Sequence, residues 1–336
     1  MPRTSQPHDR AGQALADRRT DAQETAGPAA GARRATRPSG ARRRGDQRLG
    51  YLLIAPAVIA LLAITGYPLL YNLWNSFHTV QLADPAAGRG FSGFRNYTEL
   101  FSEPGFTADL WHTLLFTIIS VTAELVVGLA LAVVLNKRFT GRGLVRAAIL
   151  VPWAVPTVVS AMLWKTMVDP QAGLINYLLR ALHLPGAGIT WSANAWASWV
   201  VVICSDAWKT IPLMAIILLA GLQLIPGEVY EAAQVDGASG WRTFRKITLP
   251  LLRPALMVAL IFRTIGAFLV FDVIYILTGG GPGSSTETLG YLNWKAFLVD
   301  SDFGYGGAIS IALVVLSLLI ALVFTRLLGQ PRQERH

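Results

Sequence analysis

Charged residues are scarce in this chain of 336 residues. Asp, Glu, Lys and Arg together make up 15% of it, whereas hydrophobic residues make up 53%. A typical soluble domain carries about a quarter charged residues. The shortage of charge therefore excludes an ordinary soluble protein and indicates that much of the chain lies in lipid.

Motifs of catalysis and of nucleotide or metal binding are also absent from the sequence. No Gly-Lys dipeptide occurs, so a P-loop cannot form, and the Gly-rich run at 279–283 is predicted to be a turn after a membrane helix. The 5 histidines are scattered without metal-ligand spacing, and no G-x-S-x-G elbow is present. The single cysteine, Cys204, excludes an intrachain disulfide and is expected to be a small buried apolar residue. We expect a chain without catalytic residues, without a metal site and without a cofactor of its own.

Six apolar runs are each long enough to cross a bilayer, which takes about 20 helical residues. The predicted spans are 51–75, 111–136, 143–167, 195–223, 251–278 and 305–328. Prolines are tolerated in such helices, and the positions Pro152, Pro156 and Pro212 predict kinks. The predicted fold is an all-α membrane protein with about six transmembrane helices.

The first 48 residues have a different composition from the rest. They are rich in Ala, Arg, Gly and Pro and nearly devoid of large apolar residues. Such a segment cannot bury enough surface to offset its ordering entropy, so we predict a disordered tail. The predicted organisation is a tail at 1–48, a six-helix transmembrane domain at 49–329 and a short C-terminal segment at 330–336.

The basic residues follow the predicted topology. The net charge is +9, and with the N-terminus inside the cell the inner segments hold 22 Lys and Arg against 4 in the outer loops. The positive-inside rule therefore predicts that both termini lie in the cytoplasm. This distribution accounts for the basic charge, and no motif for nucleic-acid binding accompanies it.

The longest inner connection, residues 225–250, is predicted to form two short helices joined by a turn. Glu228 and Glu231 lie near the start of the first helix, where negative charge is favoured. Gly237 can adopt a positive φ and end that helix, and Ser239 can cap the next one. The second helix has an apolar face formed by Trp241, Phe244, Ile247 and Leu251. Two interpretations follow from the residues alone, a docking element for a partner or an amphipathic helix on the lipid surface.

The same segment resembles the E-A-A-x3-G-x9-I-x-L-P signature of the permeases of ABC importers. The fixed positions of that signature are Glu231, Ala232, Ala233, Gly237, Ile247, Leu249 and Pro250. In that family the signature forms the coupling helices that fit a cleft in a separate ATPase subunit. The resemblance implies that Glu231, Ala232, Ala233, Asp236 and Gly237 contact the ATPase in this chain.

Four further segments resemble the sugar-importer branch of the family, the one that includes maltose and glycerol-3-phosphate permeases. They lie at 91–97, 112–117, 278–289 and 302–306, and the resemblance covers about residues 50–328. It implies a bacterial-type cell membrane and the first of two permease subunits. The implied partners are a second permease, two cytoplasmic ATPase subunits that bind ATP and Mg, an extracytoplasmic binding protein and a sugar.

Charged residues inside membrane helices are costly and tend to face a cavity or a partner. The candidates within the predicted spans are Glu124, Asp206, Lys209, Arg263 and Asp272. Asp206 and Lys209 share a face of one helix and are expected to pair, while Arg263 is expected to bind Asp272 or the partner permease. The alternative is that such groups hold the helix bundle together by polar bonds.

Aromatic residues near Asp272 can stack on sugar rings. Tyr275 shares a helical face with Asp272, and Phe268 and Phe271 lie nearby. In the maltose-type permeases that the chain resembles, the solute site lies on the fourth and fifth spans, which correspond to 195–223 and 251–278 here. The predicted substrate-path residues are Asp206, Lys209, Thr210, Arg263, Phe268, Phe271, Asp272 and Tyr275.

Three classes of function remain to be compared. The first is an ATP-driven sugar importer, and the second is the same machine for an amino acid, a polyamine, phosphate or glycerol-3-phosphate. The third is a secondary transporter or membrane enzyme, against which the sequence shows neither inverted repeats nor a catalytic cluster.

Overall fold

A computed structural model describes residues 40–83, 89–186 and 188–328, with side chains from 51 onward. The predicted C-terminal segment and most of the predicted tail lie outside the described residues. Every regular element within these ranges is a helix, which confirms the all-α prediction. The chain divides into two compact units at residues 64 and 65, and each is described by itself.

Within the described residues, the first unit contains α1 (Gly40–Leu61), whose first residues belong to the segment that was predicted to be a disordered tail. A wider π-helical turn follows at Leu62–Gly66. The other described helices begin in the second unit. In chain order they are α2 (Tyr67–Asn75), α3 (Arg95–Ser102), α4 (Pro104–Asn136), α5 (Arg142–Ala154), α6 (Thr157–Met167), α7 (Leu174–Ala181), α8 (Ala195–Gln223), α9 (Gly227–Val235), α10 (Gly240–Leu251), α11 (Arg253–Phe268), α12 (Asp272–Leu277), α13 (Leu289–Leu298) and α14 (Phe303–Leu328).

Four helical stretches in the described residues are long and apolar enough to cross a membrane without a break. They are Tyr51–Asn75, Pro104–Asn136, Ala195–Gln223 and Phe303–Leu327. Two bent pairs bring the possible number of spans to 6: α5 with α6 at 89°, and α10 with α11 at 67°. The prediction of about six spans therefore agrees with the structure when each bent pair counts as one.

The predicted third span is broken where its prolines occur. Helix α5 ends at Ala154, and Val155 is extended, with φ −71° and ψ 131°. A residue before proline is driven to this conformation, so Pro156 accounts for the bend. Helix α8 by contrast continues through Pro212, which lies inside it.

The predicted fifth span, 251–278, is wrong as a continuous helix. Helix α11 ends at Phe268, and a new helix starts only at Asp272. No proline or glycine lies at this break. The freed carbonyl of Val270 instead accepts a hydrogen bond of 3.0 Å from the Thr288 hydroxyl, a residue distant in sequence. Tertiary contact rather than local sequence therefore stabilises the interruption.

Helices α4, α8 and α11 form the centre of the second unit, and two glycines allow the close approach. A Cβ on Gly128 of α4 would lie 2.8 Å from the Cγ of Met214 on α8. A Cβ on Gly221 of α8 would lie 2.4 Å from the Cβ of Ala255 on α11. Both distances are below van der Waals contact, so a side chain at either site would push the helices apart.

Cys204 is exposed on α8, which corrects the expectation that it is buried. It lines an apolar cavity of about 360 Å³ together with Phe116 and Trp199. A helix surface in a membrane protein faces lipid or other subunits, so an apolar residue there need not be buried within its own chain.

Candidate functional site

The 225–250 segment folds as two helices joined by a tight turn, as predicted. Gly237 has φ +69° and ends α9. Its N–H donates to the carbonyl of Gln234 at 3.0 Å, and the N–H of Ala238 donates to the carbonyl of Ala233 at 2.9 Å. These bonds satisfy carbonyls that a helix end leaves without partners. Ser239 caps α10 by accepting a hydrogen bond from the N–H of Arg242 at 3.4 Å.

The tip of this segment is open to its surroundings. Glu231, Ala232, Asp236 and Gly237 are all exposed. Val235, with 89% of its surface exposed, lies among them. A large apolar side chain beside exposed carboxylates suits contact with another protein surface better than free solvent.

Three further residues of the signature, Ala233, Ile247 and Leu249, do not lie at the exposed tip. Ala233 is 5% exposed and packs inward, so its predicted contact with a partner is not supported by its position. Ile247 and Leu249 are half-buried at the base of the segment, next to exposed Pro250. Leu249 packs against an apolar cluster that includes Leu218 of α8, so it belongs to the base of the segment and not to its outer surface.

The second helix departs from the predicted regular apolar face. A π-helical turn at Phe244–Thr248 interrupts α10 and shifts its register. Phe244 stacks on Trp241 with ring centroids 5.7 Å apart, yet 70% of Trp241 is exposed. The Thr248 hydroxyl bonds to the Tyr230 hydroxyl at 3.3 Å and joins the two helices. A cavity of about 470 Å³ separates them from the end of α4.

A buried ion cluster lies between α4, α8 and α11. The guanidinium of Arg263 donates to both carboxylate oxygens of Glu124, one of them at 2.8 Å, and also to Asp206. The Ser120 hydroxyl lies 2.7 Å from Glu124 and 2.9 Å from Asp206. Glu124 is 0% exposed, Asp206 7% and Arg263 8%. We call these four residues the Arg263 cluster.

This cluster corrects two sequence predictions. Asp206 pairs with Arg263 and not with Lys209, and Arg263 pairs with Glu124 and Asp206 rather than with Asp272. Because Asp206 and Arg263 are buried within this chain, neither is accessible to a solute in this conformation. Glu124 was predicted to be an intramembrane charge, but not to be the partner of Arg263.

An aromatic shelf adjoins the break after α11. Phe271, Tyr275 and Trp294 form it, with ring centroids 5.5 Å (Phe271–Tyr275), 5.7 Å (Phe271–Trp294) and 4.7 Å (Tyr275–Trp294) apart. Tyr275 is 47% exposed, and Asp272 beside it is exposed as well. Tyr275 and Asp272 are therefore the exposed groups of this region, while Phe271 and Trp294 are half-buried.

The other predicted path residues differ in how much of their surface is exposed. Phe268 is 1% exposed in the protein core, so the prediction that it faces a solute is wrong. Lys209 and Thr210 are half-buried, and the Thr210 hydroxyl donates to the backbone carbonyl of Asp206 at 2.7 Å. Trp294 was not predicted to belong to this region, because it lies on α13, outside every predicted span.

Helix α12, which carries Tyr275 of the shelf, is attached to α6. The ammonium of Lys165 donates to the backbone carbonyl of Ile276 at 2.9 Å. Carbonyls near a helix C-terminus carry partial negative charge, so a cation is favoured there. Among the residues that the structure describes, no group of three or more His, Cys, Asp or Glu side chains is placed to hold a metal ion.

Comparison with known proteins identifies a family match for most of this region. Residues 124–330 match a sequence profile described as "binding-protein-dependent transport system inner membrane component". The match begins at Glu124 of the Arg263 cluster and includes the 225–250 segment and the aromatic shelf.

Similar individual proteins match nearly end to end. The trehalose/maltose transport system permease protein MalF of Thermococcus litoralis is 41% identical over 289 residues, which are 86% of this chain and 96% of that protein. The trehalose transport system permease protein SugA of Mycobacterium tuberculosis is 41% identical over 85% of this chain and 91% of its own length. The sulfoquinovosyl glycerol transport system permease protein SmoG of Agrobacterium fabrum is 40% identical over 84% and 91%.

Among solved structures, a chain of a bacterial alginate ABC transporter in complex with an alginate pentasaccharide-bound periplasmic protein is similar. Its TM-score is 0.71 at 23% identity, with 85% of this chain and 96% of that chain covered. A second structure, of a bacterial ABC transporter involved in alginate import, gives a TM-score of 0.73 and covers 87% and 100%.

Proposed function

Because this chain belongs to the family of binding-protein-dependent transport system inner membrane components, we propose that it is the first of two permease subunits of an ATP-driven sugar importer. Its membrane fold is that of the type I ABC importers. The chain forms part of the translocation path and has no catalysis of its own. A separate pair of cytoplasmic ATPase subunits binds ATP and Mg and drives the cycle.

The exposed tip of the 225–250 segment is the observation that carries this proposal. Glu231, Ala232, Asp236 and Gly237 lie open at that tip, where a partner can reach them. The turn at Gly237 and the cap at Ser239 give the two helices a defined shape. A preorganised element loses less conformational entropy when it docks. We assign this tip to the ATPase, with the segment and both chain termini on the cytoplasmic side.

The choice of a sugar rests on the relatives and on the shelf. Two of the similar permeases are named for trehalose, or trehalose and maltose, and a third for sulfoquinovosyl glycerol. The shelf of Phe271, Tyr275 and Trp294, with Asp272 beside it, provides aromatic faces for the apolar side of a pyranose ring and an acceptor for hydroxyl groups. Lys209 and Thr210 complete the proposed path residues.

Transport follows an alternating-access cycle in this proposal. ATP binding closes the ATPase pair, and the coupling helices transmit that movement to the two permeases. The path then opens outward and receives the sugar from an extracytoplasmic binding protein. The permease pair thus has two states, open inward and open outward. Nucleotide and solute bind at separate sites and both shift the balance between these states.

The test is ATP hydrolysis by the assembled complex in lipid. The chain is co-purified with candidate partner permeases and ATPases, and a panel of binding proteins is added with and without solute. Stimulation by one sugar-loaded protein is expected. Stimulation only by a protein loaded with glycerol-3-phosphate, an amino acid or a polyamine would favour the alternative solute class. A complex that assembles but responds to none of them would contradict the importer assignment.

Removal of the Tyr275 ring is expected to weaken solute capture. Tyr275→Ala takes one ring from the shelf, and an aromatic contact contributes about 0.5–1.5 kcal/mol. The KM for solute in vesicle transport should rise about two- to tenfold. Tyr275→Phe keeps the ring and serves as the control with a nearly unchanged KM. A Tyr275→Ala complex with the wild-type KM would exclude this residue from the path.

A further inference from the structure

The Arg263 cluster joins three helices at a distance from the docking tip. Asp206 lies on α8 and Arg263 on α11, the two helices that enter and leave the 225–250 segment. Glu124 lies on α4, which has no chain connection to that segment. At 1.5 Å per residue, Arg263 lies about 16 Å along α11 from Leu252, and Glu124 about 18 Å from the end of α4 at Asn136. The cluster is therefore deep within the helical bundle.

Two different kinds of contact hold α8 and α11 together. Near the segment the contact is apolar, where Gly221 allows Ala255 and Leu252 to pack closely. Deeper in the bundle the contact is ionic, between Asp206 and Arg263. Glu124 adds α4 to this ionic contact by receiving two hydrogen bonds from the guanidinium.

The cluster holds more carboxyl groups than pairing of α8 with α11 requires. Asp206 alone can pair with Arg263, and Glu124 adds a second carboxyl group to the same guanidinium. Buried ionic groups are costly and are often no more stable than an apolar replacement of the same size. The second carboxylate thus calls for a reason other than stability, and the geometry supplies one. Glu124 forms the ionic link from α4 to Arg263 on α11, whereas Ser120 of α4 adds a neutral donor to Asp206 on α8.

Continuity with the solute path adds a second observation. Helix α11 ends at Phe268, five residues after Arg263, and Phe271 and Tyr275 of the shelf follow directly. Helix α4 contacts α13, the helix that carries Trp294 of the shelf, because the Thr113 hydroxyl accepts a hydrogen bond from the N–H of Leu289 at 2.9 Å. A tie between α4 and α11 therefore joins two helices that are each connected to residues of the shelf.

We propose that Glu124 is a positioning residue that ties α4 to α8 and α11, so that movement of the 225–250 segment displaces the three helices as one body. Without the tie, the segment moves α8 and α11 while α4 lags, and ATP hydrolysis proceeds without full opening of the path. This inference rests on the proposed importer function. It assigns to Glu124 a role in coupling rather than in solute contact.

Two substitutions separate coupling from folding. Glu124→Leu leaves Arg263 and Asp206 as a neutral pair and removes the ionic tie between α4 and α11, so that the Ser120 hydroxyl is the group of α4 that remains in the cluster. Glu124→Gln leaves the same neutral pair but keeps an amide oxygen that can accept from Arg263. Both variants lose the same charge, so they differ mainly in the hydrogen bonds between α4 and α11.

The experiment uses the full complex in proteoliposomes with its solute-loaded binding protein. Thermal stability, ATP hydrolysis and solute uptake are measured in parallel, and the readout is solute transported per ATP. Glu124→Leu should assemble, hydrolyse ATP and lower this ratio about tenfold, the size of a typical coupling between sites. Glu124→Gln should restore most of the ratio.

The outcomes distinguish this inference from the proposed function. A wild-type complex without solute-stimulated hydrolysis would contradict the importer function itself. A coupled wild type with a Glu124→Leu variant of unchanged ratio would overturn the role of Glu124. Equal losses of stability and of the ratio in both variants would show that the cluster acts only through folding and would overturn it too.

Discussion

Arg263→Met is expected to destabilise the folded chain by about 3–5 kcal/mol. The substitution removes the one cation of the Arg263 cluster and leaves the carboxylates of Glu124 and Asp206 buried beside each other. A buried charge without a partner costs several kcal/mol, and two like charges add repulsion. Since folded domains are stable by only about 5–15 kcal/mol, the substitution should remove a large share of the stability and lower the unfolding temperature clearly.

The measurement is thermal unfolding of the purified chain in detergent, together with its yield from membranes. Arg253→Met is the matched control, because Arg253 is exposed at the start of the same helix. The triple variant Arg263→Met, Glu124→Gln and Asp206→Asn removes every charge of the cluster and should recover much of the stability. If Arg263→Met unfolds at the same temperature as the Arg253→Met control, the cluster does not stabilise the fold.

Glu231→Lys is expected to abolish the response of the ATPase to the permease while leaving the chain folded. Glu231 is exposed on α9, so the reversed charge should not disturb this chain's own packing. At a docked surface the same reversal places a cation where the partner is complementary to a carboxylate. Charge changes at the centre of an interface cost about 2–5 kcal/mol, so stimulated hydrolysis should fall at least about tenfold.

The measurement is the rate of ATP hydrolysis by the assembled complex in lipid, in the presence of the solute-loaded binding protein. Glu228→Lys makes the same change one turn earlier on α9, at an exposed residue outside the signature, and should keep most of the activity. Gly237→Asp tests the turn in the same assay, because a side chain at φ +69° is strained. If the Glu231→Lys complex assembles and hydrolyses ATP like the wild type, the ATPase does not dock at Glu231.

Local signals in the sequence were sufficient for much of the architecture. The fourth span was predicted at 195–223, and α8 is Ala195–Gln223. The two helices of the 225–250 segment, the turn at Gly237 and the cap at Ser239 also agree with the structure. Each of these features depends on neighbouring residues, through apolar run length, helix-end chemistry or the freedom of glycine.

The polar site was less predictable than the spans. Sequence spacing favoured a pair between Asp206 and Lys209 on one helix, whereas Asp206 binds Arg263 on another. Helical spacing indicates which side chains can meet on one element, but it contains no information about the element that packs opposite. For the same reason Phe268 was assigned to the path although it faces the core.

The sequence by itself determined that this is a helical membrane protein with about six spans, and it identified the 225–250 segment by a signature of the permease family. Only the tertiary structure decided the Arg263 cluster, whose partners Glu124 and Arg263 are 139 positions apart. It alone decided the break between α11 and α12, where Thr288 binds a carbonyl 18 positions away. Apolar periodicity and helix ends are properties of adjacent residues, whereas the partner of a buried charge or a freed carbonyl is fixed only when distant helices pack.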